Sequence, residues 1–186
     1  MRVLLLAILA LSIIIPVLVD DAFAAKGDIT AVRAQSLGNN FQYDDRGRYN
    51  SLVQVDSDTY ALAYAGTDSD GFISTFTISA DGSTITEVES IEHDTVLGQH
   101  NSLIKVDSDT FALAYRGTDS AGFISTFTID SDGDITPKRI QNHSAFASAS
   151  ANLEHDTNEG SINSLVHVND DTYALAYERN GSQLAI

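Results

Sequence analysis

The chain has 186 residues with 26 acidic against 10 basic side chains, and its net charge of −16 repels phosphate backbones and anionic membrane surfaces. Nucleic acid is therefore excluded as a natural partner, while divalent cations or a cationic surface fit the field. Cysteine is absent, which removes thiol catalysis and cysteine-held zinc and leaves core packing and sheet closure to hold the fold. An apolar content of 43% is that of a globular chain rather than a disordered one.

In chain order, the first element is an export signal. Arg2 precedes Val3–Val19, apolar except for Ser12 and Pro16, and Ala22-Phe23-Ala24 then offers the small-x-small pattern cleaved before Ala25. The apolar run is 17 residues long with a proline inside it, short of the ~20 a spanning helix needs, so a membrane anchor is the weaker reading. Cleavage would remove Arg2, Asp20 and Asp21, leaving 9 basic and 24 acidic residues in a secreted chain of 162. Residues 1–24 are thus a signal peptide and 25–186 one repeat domain, with no membrane contact after cleavage.

That domain repeats itself. Asn50–Gly82 and Asn101–Gly133 agree at 26 of 33 positions with an offset of 51, and a third copy opens at Asn163. Gly27–Gln35, GDITAVRAQ, matches GDITPKRIQ at Gly133–Gln141, so residues 27–49 read as an outer strand and linker. The first full repeat, 50–100, starts with a strand at Ser51–Val55 and an acidic turn at Asp56-Ser57-Asp58. Thr59–Ala65 follows, with Tyr60, Leu62 and Tyr64 on one face and Ala61, Ala63 and Ala65 on the other. Neither face is polar, so this strand is predicted to be buried on both sides, the bulky face against one neighbour and the alanines receiving the other.

Gly66–Gly71 reads as a loop, and Phe72–Ile78 as a third strand rich in β-branched and aromatic residues. A turn at Ala80-Asp81-Gly82 leads to a fourth strand, Ser83–Ile91, whose Glu87 and Glu89 suggest an exposed edge. The second repeat, 101–162, carries the insertion Asn142–Asn152, and the partial third, 163–186, ends inside its third strand. No helix is predicted.

The fold class is accordingly all-β, with β-propeller-type repeats of four-stranded antiparallel blades. A β-solenoid is the alternative. About three blades fall short of the roughly 4 to 8 of a closed ring, so the chain reads as an incomplete ring or fragment, or as a half-ring completed by a second copy. The apolar, unfinished Ser182–Ile186 favours the fragment, its edge free to pair with further repeats or another copy.

The phrases NSLVQVDSDTYALAYAG, DGFISTFTIS, ADGSTITEV and IEHDT resemble the repeats of large secreted surface proteins of marine ammonia-oxidising archaea. The resemblance covers nearly all of Gly27–Ile186. It implies propeller blades in an archaeal exported or cell-surface protein, and it brings no catalytic motif with it.

In a four-stranded blade the loop after strand two shares a face with the link from strand four to the next blade. That places Asp68 and Asp70 beside His93, Asp94, His100 and Asn101, and Asp119 beside His155, Asp156 and Asn163. Such carboxylates, imidazoles and amides suit a hydroxyl-rich glycan, a protein partner or a hard cation. They equally suit a fastening role, because Asp and Thr bond loop backbone and a neutral imidazole both donates and accepts.

Calcium is considered at Asp130-Ser131-Asp132-Gly133-Asp134, but the bidentate glutamate is missing and Ser79-Ala80-Asp81-Gly82-Ser83 has lost two of the three carboxylates. The expected cofactor is none, and no metal ligands are assigned. Asp56, Asp58, Asp107 and Asp109 belong to hairpin turns. No unrepeated carboxylate pair, nucleophile elbow or phosphate loop appears, and Arg33, Arg46, Arg48, Arg116, Arg139 and Arg179 do not gather at one repeat position. Asn142-His143-Ser144 and Asn180-Gly181-Ser182 are glycosylation sequons. The expected function is extracellular binding of a glycan, protein or envelope component, or envelope scaffolding, without catalysis. The alternative is a propeller hydrolase whose active site lies partly outside this chain.

Overall fold

Alternating apolar positions bounded by Asp and Gly turns become antiparallel strands throughout residues 47–138, 152–179 and 183–186, which the computed structural model describes. Among these residues there is no α-helix, only two single-turn 3-10 segments at Thr67–Ser69 and Thr118–Ser120. The first sheet is a meander of β1 (Arg48–Gln54), β2 (Thr59–Ala65), β3 (Gly71–Ile78) and β4 (Ile85–Asp94) in that order. The second contains β5 (Gln99–Lys105), β6 (Thr110–Arg116), β7 (Gly122–Ile129), β8 (Ile135–Lys138) and β9 (Asn152–Asp156). The third is β10 (Ser161–Asn169), β11 (Thr172–Arg179) and β12 (Gln183–Ala185).

The 11-residue insertion falls inside a strand position. β8 pairs with Thr126–Ile129 and β9 with Gly122–Ser125, so the two together do for β7 what the unbroken β4 does for β3. The predicted signal peptide, the strand at Gly27–Gln35, both sequons and all of the insertion but Asn152 lie outside the described residues. Among the described residues the three sheets do not close into a barrel. The all-β, antiparallel part of the expectation stands.

In the first two repeats the hairpin between strands one and two is closed by an aspartate. Asp56 Oδ1 accepts the N–H groups of Asp58 (3.2 Å) and Thr59 (2.9 Å), and Asp107 Oδ1 those of Asp109 (3.1 Å) and Thr110 (2.8 Å). These bonds, the one from Thr59 foremost, hold the Asp56 carboxyl below its ordinary range. A side-chain acceptor that satisfies backbone donors in the turn explains why aspartate recurs there.

Packing between sheets follows the two faces of strand two. Val53, Val55, Ala61, Ala63 and Ile73 of the first sheet meet Leu103, Phe111, Leu113, Tyr115 and Phe127 of the second. Ala112 and Ala114, with Ile104, Val106 and Ile124, in turn meet Leu165, Tyr173 and Leu175 of the third. Alanine recedes where the neighbour's large side chain enters, so each sheet presents one receding and one protruding face. Burying one such leucine is worth ~1.5–3 kcal/mol.

Polar ties reinforce the stack. Ser51 Oγ accepts Leu103 N–H at 2.8 Å and Ser102 Oγ accepts Leu165 N–H at 2.9 Å. Thr75, fully buried, donates its hydroxyl to Gly133 O at 2.6 Å.

Two expectations are corrected. Strand four extends to Asp94 rather than Ile91, because Phe72 and Gly71 continue to pair with Glu92 and Asp94. Glu87 and Glu89 are also not on its exposed side: Thr86, Val88 and Glu92 are exposed, whereas Glu87 and Glu89 are half-buried. Glu89 accepts the N–H of Ile135 from the next sheet, which draws it inward.

Candidate functional site

The candidate residues gather where one sheet hands over to the next, and most sit on strand ends rather than in loops. Strand one of every repeat contains a bulge with a left-handed residue: Tyr49 (φ 57), His100 (φ 54) and Ile162 (φ 51). Such a conformation costs ~1–2 kcal/mol for a side chain with a Cβ. The asparagine that follows supports it. Asn50, Asn101 and Asn163 donate Nδ2 to the carbonyls of Gly47 (3.1 Å), Gly98 (2.9 Å) and Gly160 (2.8 Å). Asn163 also donates to His100 O at 3.1 Å, tying β10 to β5. The Oδ1 atoms of Asn101 and Asn163 are buried without a partner.

His93 and His155 occupy glycine-walled slots. A Cβ on Gly71 would stand 2.4 Å from His93 Cε1, and one on Gly98 2.1 Å from Gly71 Cα; at Gly122 and Gly160 the corresponding distances are 2.2 Å and 2.2 Å. Only glycine lets these backbones meet and leaves width for an imidazole. The His93 ring stands edge-on to Tyr115 of the next sheet at 4.7 Å, and His155 to Tyr177 at 4.7 Å. All four ring nitrogens are sealed from solvent and have no hydrogen-bond partner. Burial therefore lowers both pKa values, that of His93 to about 3, and both rings are neutral at pH 7.

The neighbouring aspartates cap the link to the following sheet. Asp94 Oδ1 accepts Val96 and Leu97 N–H, each at 3.0 Å. Asp156 Oδ1 accepts Asn158 (2.8 Å) and Glu159 (3.1 Å), while its Oδ2 accepts the Tyr177 hydroxyl at 3.1 Å and pairs with Arg179 Nε at 3.1 Å. Burial works against the Asp156 charge, but these donors outweigh it and the pKa is lowered.

The loops after strand two do approach this region. Ser69 O accepts Gly98 N–H at 2.9 Å and Ser120 O accepts Gly160 N–H at 3.0 Å. Asp68 and Ser69, like Asp119 and Ser120, are consecutive left-handed residues at the loop tip, where Asp68 and Asp119 are exposed. Asp70 is half-buried beside Glu92, whose pKa is raised by burial first and then by that carboxyl. Ala121 stands in its place in the second repeat, so the pair is not repeated. His100 is half-buried, its ring 4.3 Å from that of Tyr49, and burial and then Arg116 lower its pKa. Arg116 itself reaches Gln99 Oε1 (3.4 Å) and Ser120 Oγ.

Beside the third sheet the junction is open. Glu154, His155, Asp156, Thr157, Tyr177 and Arg179 line a cavity of about 230 Å³. Arg179 takes the repeat position of Gly117. At Gly117 a Cβ would meet Phe123 at 2.6 Å and Asp94 Oδ2 at 3.1 Å, so the earlier junction is tight there. The cavity offers a guanidinium, a hydroxyl, carboxylates and an aromatic edge, groups that hydrogen-bond polar ligands.

Among the described residues no set of three or more His, Asp or Glu is placed to hold a metal ion. In the considered calcium loop, Asp130 Oδ1 accepts the N–H groups of Asp132 and Asp134, each at 3.0 Å, as a turn aspartate does. Sequence reasoning missed the slot glycines, the receiving tyrosines and Arg179. The recurrence of Gly71 with Gly122 and of Gly98 with Gly160 was the available signal. Compared with known proteins, the chain matches no family model and no curated protein.

Proposed function

We propose that the chain is an exported, acidic β-propeller-type module that acts outside the cell without catalysis, binding a hydroxyl-rich glycan or envelope component on its loop face. The blade reading is supported by the hydrogen bonding of the sheets. Among the described residues each meander pairs only within its own sheet, while the first strands β1, β5 and β10 lie next to one another through Ser51 and Ser102. A rod of wound coils would instead pair strands between successive repeats. Export is supported by the leader-like first 24 residues and by the resemblance of the repeats to archaeal surface proteins.

The observation that carries binding is the polar cavity around Arg179, opened where the earlier junction is closed. His93 and Asp94 contribute by fixing the first blade to the second, and His155 and Asp156, which line the cavity, by fixing the second to the third. Glycan-array screening followed by titration calorimetry tests this. Binding that falls at least tenfold in Arg179→Ala supports the reading. Silence of the wild type on the array and in a calcium titration leaves envelope scaffolding as the function.

A further inference from the structure

The chain shows, twice over, what covers the receding face of one of its sheets: the protruding face of the following sheet. The third sheet presents that same receding face with nothing upon it among the described residues. Ala174 and Ala176 are part-exposed where Ala61, Ala63, Ala112 and Ala114 are buried. Val166 is 49% exposed and Leu184, aligned with Glu178 on this face, is 74% exposed. Ile162, Ser164, Ala176 and Leu184 line a largely apolar groove of about 470 Å³.

Serine completes the series. Ser51 and Ser102 each accept the N–H of a leucine from the next sheet, Leu103 and Leu165. Ser164, the third serine, has no such donor among the described residues. The residue at the repeat position of Leu103 and Leu165 without a serine partner among the described residues is Leu52, and it is 59% exposed on the protruding face of the first sheet, with Tyr60 and Leu62 part-exposed beside it. The two free faces thus have the complementarity that both internal junctions already display.

We propose that the chain associates head to tail with a second copy of itself, the receding face of the β10–β12 sheet in one copy receiving the protruding face of the β1–β4 sheet in the other. Such a contact is heterologous: two different surfaces meet, and it either closes into a ring or extends. It is independent of the loop-face cavity, so a monomer that still binds glycan overturns this inference and leaves the binding reading intact.

Light scattering on a sizing column tests it with Val166→Lys and Leu52→Lys, both exposed enough to leave each sheet folded; thermal melts verify this, and Leu184→Lys replaces Val166→Lys if that variant is unfolded. The purified wild type is expected to exceed the monomer mass and each variant to run as a monomer. An equimolar mixture of the two variants regains a 1:1 pair, because one intact face of each kind remains. A monomeric wild type at every concentration, variants that stay assembled, or a mixture that stays monomeric overturns the proposal.

Discussion

Between the first and second sheets, His93 is closed in by Gly71, Gly98 and Tyr115, and Gly117 fits tightly against Asp94. Between the second and third, His155 has the same glycine slot and the same tyrosine partner, yet Arg179 stands where Gly117 was and a polar cavity borders the histidine. One junction is therefore a fastener, and the other is a fastener with an opening beside it. Near-identical repeats supply a common joint, and the joint that bears Arg179 in place of Gly117, with Ala185 in place of Phe123, also borders a ligand-sized space.

The sharpest way to break the comparison is to close the slots. Gly98→Ala drives a methyl to 2.1 Å from backbone Cα of Gly71, and Gly160→Ala does the same to Gly122 at 2.2 Å. Backbone cannot rotate aside, so each variant should lose about 3 kcal/mol or more in denaturant unfolding. A loss in only one of them would show that the joints are not equivalent.

Next come two leucines with the same repeat position and different cover. Leu103 is 5% exposed beneath the first sheet, and its replacement by alanine should cost about 3 kcal/mol. Leu52→Ala, measured on monomer, should stay within about 0.5 kcal/mol. Equal costs would mean that stacking of sheets does not set the burial.

Acid should act through the joints. In the folded chain His93 stays neutral down to about pH 3, whereas unfolded histidine takes its proton near 6.5. The stability this contributes is complete above pH 6.5 and is lost as pH falls toward 3, by about 1.4 kcal/mol per unit for one fully shifted group. Between pH 6.5 and 5 the difference between the chemical melts of wild type and a His93 variant reports this imidazole. His93→Met should shallow the slope by about one proton; an unchanged slope would place the proton uptake elsewhere.

A smaller difference separates the aspartates. Asp156→Ala removes the acceptor of two backbone N–H groups, the tyrosine bond and the arginine pair. It should cost about 1 kcal/mol more than Asp94→Ala. Arg179→Ala alone should narrow that gap.

Much of the strand layout is legible in the sequence because period-two patterning and aspartate turns are local signals. Thr59–Ala65 has the predicted bounds and its alanines meet the next sheet, but Tyr60 and Leu62 are part-exposed, so the predicted burial on both sides is met in Thr110–Arg116 and not in this first copy. The bulge in strand one was not legible. Tyr49, His100 and Ile162 share a left-handed backbone yet are three different side chains, and a β-branched isoleucine argues locally against that conformation. Only the asparagine after each one hinted at it.

His93 and Asp94 were placed in a connection because Glu-His-Asp-Thr is polar. Pairing with Gly71 and Phe72, a tertiary fact, keeps them in the strand. The cavity at Arg179 depends on a residue outside the repeating pattern, and its effect is visible only once Asp156 is seen beside it.

The most direct test of stacked, histidine-fastened modules is a nuclear Overhauser spectrum recorded with a pH titration of the imidazole signals. Cross-peaks from the His93 ring to Tyr115 and Gly71, and from the His155 ring to Tyr177 and Gly122, together with a His93 resonance that stays unmoved from pH 8 to about 4.5, are the predicted result. Missing cross-peaks, or a His93 signal that titrates near 6.5 as free imidazole does, would contradict it.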